Sequence, residues 1–263
     1  MHDLAFIVAG FLVGAVIGLT GVGGGSLMTP ILIFVFGVKP YLAVGTDLLF
    51  AGFTKLGGTV RLARARLVDW RMVAHLSAGS IPAALCTLLV LRRLGPASAE
   101  TQHFMTSALG LALLLTAGAT LYKVIWGTSA RRREPGLSDV QIARTRHWSL
   151  PLLFGAVIGM LVTLTSVGAG AIGVTVLMLL YPLLPLPRIV AADIAYAVPL
   201  TLVAGLGHAS LGSVDWSLLA KLLAGSLPGI WIGARLMQHT PERVVRSLLS
   251  MLLAYAGLKL IAL

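Results

Sequence analysis

"DWRMVAHLSAGSIP", Asp69–Pro82, returns as "DWSLLAKLLAGSLP", Asp215–Pro228, identical at 8 of 14 positions and displaced by a constant 146 residues from Asp69 to Asp215. Upstream, "LTGVGGG" from Leu19 answers "LTSVGAG" from Leu164 at an offset of 145, and Asp47 answers Asp193 at 146. "GAVIG" occurs at Gly14–Gly18 and at Gly155–Gly159, an offset of 141 that places about four extra residues in the second copy around Met160–Thr163. The chain is therefore one module written twice. Residues 1–126 form a first membrane repeat, 127–148 a basic linker, and 149–263 a second membrane repeat.

The medium follows from composition. The 263 residues are 57% apolar and 11% charged, with a mean hydropathy of +0.94, whereas soluble chains are about 45–50% apolar and about 25% charged. No Asp, Glu, Lys or Arg occurs between Leu4 and Val38. Such runs suit spanning helices, and the strict alternation of outer-membrane strands is absent. Ten helical segments are expected, near 4–20, 27–37, 41–57, 72–91, 103–126, 149–165, 170–184, 188–208, 217–237 and 243–262. This is an all-α integral membrane protein, and lipid is its first partner. The N-terminal "MHDLAFIV" lacks a cationic leader, so residues 4–20 are expected to stay as helix.

Five segments per copy is an odd number, so the second copy inserts upside down. The charges agree. Residues 60–71 carry Arg61, Arg64, Arg66 and Arg71 against Asp69, while the equivalent 206–217 carry no Lys or Arg. By the positive-inside rule the first loop is cytoplasmic and its counterpart external, the mark of inverted-topology repeats. The basic linker falls inside and both termini outside; Arg92 and Arg93 stand as an exception on the outer side. An eight-span arrangement with re-entrant segments keeps the same parity. The net charge of +11 is thus a topology signal and not a nucleic-acid surface.

Interrupted helix at membrane depth survives only where it is buried in protein or lines a wet cavity. The duplicated glycine element predicts broken helices near the midplane, whose free N–H groups and dipole ends attract anions. Thr20, Gly21, Gly23, Gly24, Gly25 and Ser26 are the expected substrate-binding residues of the first copy. Thr165, Ser166, Gly168 and Gly170 are those of the second. The small-residue pairs Gly14/Gly18 and Gly155/Gly159 read instead as helix-packing contacts.

These motifs carry a resemblance. "GVGGGSLMTP" near the N-terminus, "GTDLLF" about twenty residues later, the basic loop ending in "DW", the following "AGSIP" and their weaker repetition together resemble the TauE/SafE sulfite exporter family, also called the toluene-sulfonate uptake permease family. The resemblance covers essentially the whole chain. It implies a bacterial inner-membrane permease for sulfite or small organosulfur anions, read here as an exporter, with a central path between two repeats. "SVGAG" departs from the first copy's glycine run.

Other intramembrane polar residues carry two readings each. Asp47 and Asp193 are either coupling groups, suited to carrying protons, or local caps and pairs, Asp47 with Thr46 and Asp193 with Arg188. Lys55 is expected to snorkel to the cytoplasmic edge. His75 and Lys221 read as interfacial anchors, as do Trp70 and Trp216. His208 titrates near neutrality in water but has no second ligand at metal spacing. Cys86, the only cysteine, reads as a small buried hydrophobe.

No cofactor and no metal is implied. The absence of Walker, HExxH and GxSxG motifs argues against ATP hydrolysis and intramembrane catalysis. A secondary transporter is the favoured class, with an anion channel or a permease for another small carboxylate or oxyanion as the alternative.

Overall fold

The computed structural model describes residues 2–20, 25–126, 149–181, 184–236 and 242–261. Among them lie ten α-helices: α1 His2–Thr20, α2 Gly25–Phe34, α3 Pro40–Arg64, α4 Trp70–Leu94, α5 Ala99–Trp126, α6 Ser149–Thr165, α7 Ala171–Leu180, α8 Leu186–Ser210, α9 Trp216–Leu236 and α10 Glu242–Ile261. The linker 127–148 lies outside the described residues. Among the described residues three helices, Trp70–Leu94, Ala99–Tyr122 and Leu186–Ser210, are long and apolar enough to cross a membrane.

Local chemistry sets several boundaries. Asp69 caps α4, its carboxylate accepting from the Arg71 and Met72 amides, and Asp215 accepts from Leu218 N–H at the start of α9 at 2.9 Å. Pro40 opens α3, where its missing N–H costs nothing. Gly95, at φ 79°, closes α4. Trp70 and Trp216, one residue past the two Asp caps, are each 59% exposed.

Helix pairing crosses between the copies. α1 packs on α9, α4 on α6, α3 on α8 and α5 on α10. In the first two pairs the helices run parallel and touch backbone to backbone. Gly10 and Gly14 face Leu222 and Ser226, and Gly155 and Gly159 face Leu76 and Ser80. Absent side chains let helices approach closely, which is how packing is won where lipid is as apolar as leucine. α3 and α8 run antiparallel, with Gly45 against His208 and Gly52 against Leu202. So do α5 and α10, where Gly110 meets Gly257 and the Ser250 hydroxyl donates to the Ala117 carbonyl at 3.4 Å.

These contacts correct the alignment of the copies. Gly10–Gly14 and Gly155–Gly159 play the same part at the offset of 145, so the second copy has no four-residue insertion around Met160–Thr163. The "GAVIG" match at 141 is a coincidence of small-residue spacing.

Two buried clusters result, and each draws on both copies. One gathers Leu48, Leu76, Ile158, Tyr196 and Leu200; the other gathers Val13, Met28, Leu109, Leu222 and Leu253. The outside is apolar as well, with Leu4, Leu153, Leu227, Met251 and Tyr255 among its exposed side chains. Cys86 is exposed on α4 between Leu85 and Leu89, which corrects the expectation of a buried thiol. Its helix turns that face away from α6 and α8.

Candidate functional site

The second glycine element breaks the chain inside the protein. α6 ends at Thr165, whose hydroxyl donates to the Leu161 carbonyl at 2.6 Å and accepts from Val167 N–H at 3.1 Å. Ser166 turns the chain with φ 59°, and Gly168 and Gly170 follow at 127° and 130°, values that side chains disfavour. Gly173 N–H then bonds back to the Gly168 carbonyl at 3.0 Å as α7 begins. The first-turn amides of a helix have no partner within it, so this end of α7 offers donors and a positive dipole end.

Of the first element, Gly21, Gly23 and Gly24 lie outside the described residues. Thr20 ends α1, Gly25 opens α2, and Ser26 beside it is half-buried.

Asp47 lies well inside α3 and is fully buried. Its carboxylate accepts from the Thr29 hydroxyl of α2 and faces Ser166 across the helix break. Thr46 does not share a cap with it: the Thr46 hydroxyl accepts from Asp215 N–H at 3.0 Å, and α3 starts at Pro40. Asp193, buried on α8, sits so close to Gly173 that a Cβ there would overlap its carboxylate.

Lys55 lies in the same interior. It is only 6% exposed, and its ammonium donates to the Ala169 carbonyl in the middle of the glycine turn at 3.1 Å. Both Asp47 and Asp193 are within electrostatic reach of it. Lys55 therefore does not snorkel, and the expectation of an edge residue is corrected. The signal was its depth. Lys55 is nine residues from the end of α3 at Arg64, about 13 Å at 1.5 Å per residue, farther than a lysine side chain extends.

His208 belongs to the same interior. Fully buried against Gly45, it donates from Nε2 to the Thr163 carbonyl at 2.9 Å. That carbonyl lies in the last turn of α6, where intrahelical partners run out. Lys221 forms an ion pair with Asp3 at 2.5 Å, and His75 stays exposed, bonded to the Arg71 carbonyl at 2.7 Å.

Thus Asp47, Asp193, Ser166 and the second glycine turn converge on Lys55, a group the sequence had placed elsewhere. The arrangement sets one ammonium and a helix N-terminus near two carboxylates in the protein interior, the kinds of group by which anions and protons are held.

The sequence model of the family described as "Sulfite exporter TauE/SafE" matches residues 6–260. The chain is similar to "Probable membrane transporter protein YjnA" of Bacillus subtilis (strain 168), 36% identical over 259 residues that cover 98% of this chain and 100% of the relative. It is also similar to "Probable membrane transporter protein YdhB" of the same organism, 26% identical over 263 residues with 98% and 100% coverage. No solved structure matches it. Its helical interior, its apolar exterior and a family match over nearly the whole length agree: the chain belongs to the TauE/SafE sulfite exporter family of multi-pass membrane transporters, which are not enzymes.

Proposed function

We propose that the chain is a secondary transporter that carries a small sulfur-containing anion, sulfite or an organosulfonate, out of a bacterial cell across the inner membrane. One observation carries the reading: a helix interrupted at Ser166–Gly170 in the protein interior, with the Lys55 ammonium bonded into the turn. The glycine elements supply the oxyanion's donors, from Thr20, Gly21, Gly23, Gly24, Gly25 and Ser26 on one side and Ser166, Gly168 and Gly170 on the other. Thr165 holds its turn in shape through its own hydrogen bonds. Asp47 and Asp193 are the coupling groups.

The two repeats, 1–126 and 149–263, have inverted topology in this reading, with loop 58–71 and linker 127–148 cytoplasmic and both termini outside. The antiparallel contacts of α3 with its repeat counterpart α8, and of α5 with α10, support it. Inverted repeats can exchange conformations about a fixed central site, and so give access to each side in turn.

The test is uptake of labelled sulfite and a sulfonate panel into proteoliposomes under imposed pH and Na⁺ gradients. Saturable flux with counterflow is expected; fast unsaturated conductance indicates a channel instead. Gly24→Leu is expected to abolish flux while folded protein remains in the membrane, and near-normal flux in that variant contradicts the site.

A further inference from the structure

The interior around Lys55 holds two carboxylates and one ammonium. With both carboxylates ionised, the group carries a net charge of −1 before any guest arrives, and a monoanion would make it −2 in a space largely closed to water. Buried charge is tolerated only when paired. One ammonium cannot serve two carboxylates and a guest together.

We infer, resting on the transport reading above, that Lys55 is the counter-ion of the carried anion and that a proton bound at Asp47 or Asp193 travels with it. Lys55 is bonded to the Ala169 carbonyl and is within electrostatic reach of both carboxylates. A proton from the aqueous side settles on a carboxylate oxygen, Lys55 turns to the guest, and the same proton leaves on the far side with the anion.

Two details at the Asp47 carboxylate favour this. Asp47 Oδ1 is buried without a hydrogen bond of regular geometry, although Oδ2 has Thr29, which leaves that oxygen room for a proton. The Ser166 hydroxyl is also buried without a hydrogen bond of regular geometry while facing Asp47, a donor held ready beside the turn.

Other titratable groups do not alter the count. α2, α6 and α7 bring none. α8 adds Tyr196, one turn beyond Asp193, His208, bonded to Thr163, and Arg188 near its start. On α5, Glu100 and His103 lie exposed near one end and Tyr122 near the other; on α4, which packs against α8, Arg71, His75, Cys86, Arg92 and Arg93 are all exposed; on α9, Lys221 pairs with Asp3 and Arg235 is exposed.

Proton and anion together make an electroneutral step. Export is then driven by anion accumulated inside, opposed by an acid exterior, and indifferent to membrane potential.

The experiment uses the full-length protein in proteoliposomes with labelled sulfite and labelled methanesulfonate as probes and internal pyranine to follow protons. Methanesulfonate keeps one negative charge throughout the working pH range, so its pH response belongs to the protein. Expected are acid-stimulated flux of at least one probe with matching proton movement, and a loss of about tenfold or more in Lys55→Gln, as a charge-assisted contact is removed. In Asp47→Asn or Asp193→Asn the remaining flux, whatever its size, stops responding to pH. Flux in the wild type with a silent pyranine trace, with an undiminished Lys55→Gln rate, or with both Asp variants still pH-responsive overturns the inference and leaves the transport reading standing. A wild type that moves neither these probes nor the wider panel overturns both. Should Lys55→Gln leave no folded protein, the pyranine trace and the two Asp variants decide.

Discussion

Gly155 of α6 rests on the main-chain carbonyl of Leu76 in α4, as Gly10 of α1 rests on that of Leu222 in α9. Any Cβ at these positions enters the neighbouring backbone, which has no flexible end to move aside. Gly155→Leu and Gly10→Leu are therefore expected to lower stability by about 1–3 kcal/mol or more. Gly118, with nothing near its Cβ direction, is expected to accept Ala with a change of no more than about 1 kcal/mol. Thermal unfolding in detergent micelles compares them, and equal losses at the three sites contradict the packing.

The turn after α6 gives a second expectation. Gly170 has φ 130° and Ser166 φ 59°, so Gly170→Ala forces a side chain into a region that costs about 1–3 kcal/mol. Ser166→Gly removes a left-handed residue and restores the glycine found at Gly21, with a gain of up to about 1 kcal/mol. Unfolding midpoints that move in the same direction for both variants refute this account of the turn.

His208 closes the last turn of α6 through the Thr163 carbonyl. His208→Phe fills the space but leaves a buried acceptor unpaired, at a cost of about 1–3 kcal/mol. A wild-type melting temperature in that variant shows that the carbonyl has another partner.

Orientation is open to chemistry. Cys86 sits on the apolar exterior, and Cys86→Ser is expected to change stability by less than about 0.5 kcal/mol. In that background a thiol at Arg66→Cys is expected to react only from the cytoplasm and one at Ser210→Cys only from outside. Reaction of both from the same compartment removes the inverted topology.

Much of this architecture was legible in the chain. Hydropathy placed all ten helical segments, and 149–165 coincides with α6 while 27–37 becomes Gly25–Phe34. Periodicity reports burial along one segment and says little about which segment lies beside which. The exchange of partners between copies, α1 with α9 and α4 with α6, therefore needed coordinates. The same gap hid the centre of the site. Lys55 was judged by the cost of a cation in lipid, yet α3 is enclosed by α2, α8 and α9 and meets protein at that depth. "GAVIG" misled for a related reason: identical letters on different faces of a helix are not equivalent, and only contact with Leu76 and Leu222 revealed the true register.

The pairing of α1 with α9 bears on how such a chain is made. During synthesis the first helix enters the bilayer long before its partner leaves the ribosome, and its glycine notch must meanwhile face lipid or a borrowed neighbour. Completion of the fold thus waits on the last quarter of translation, and truncated chains should be prime targets for membrane quality-control proteases.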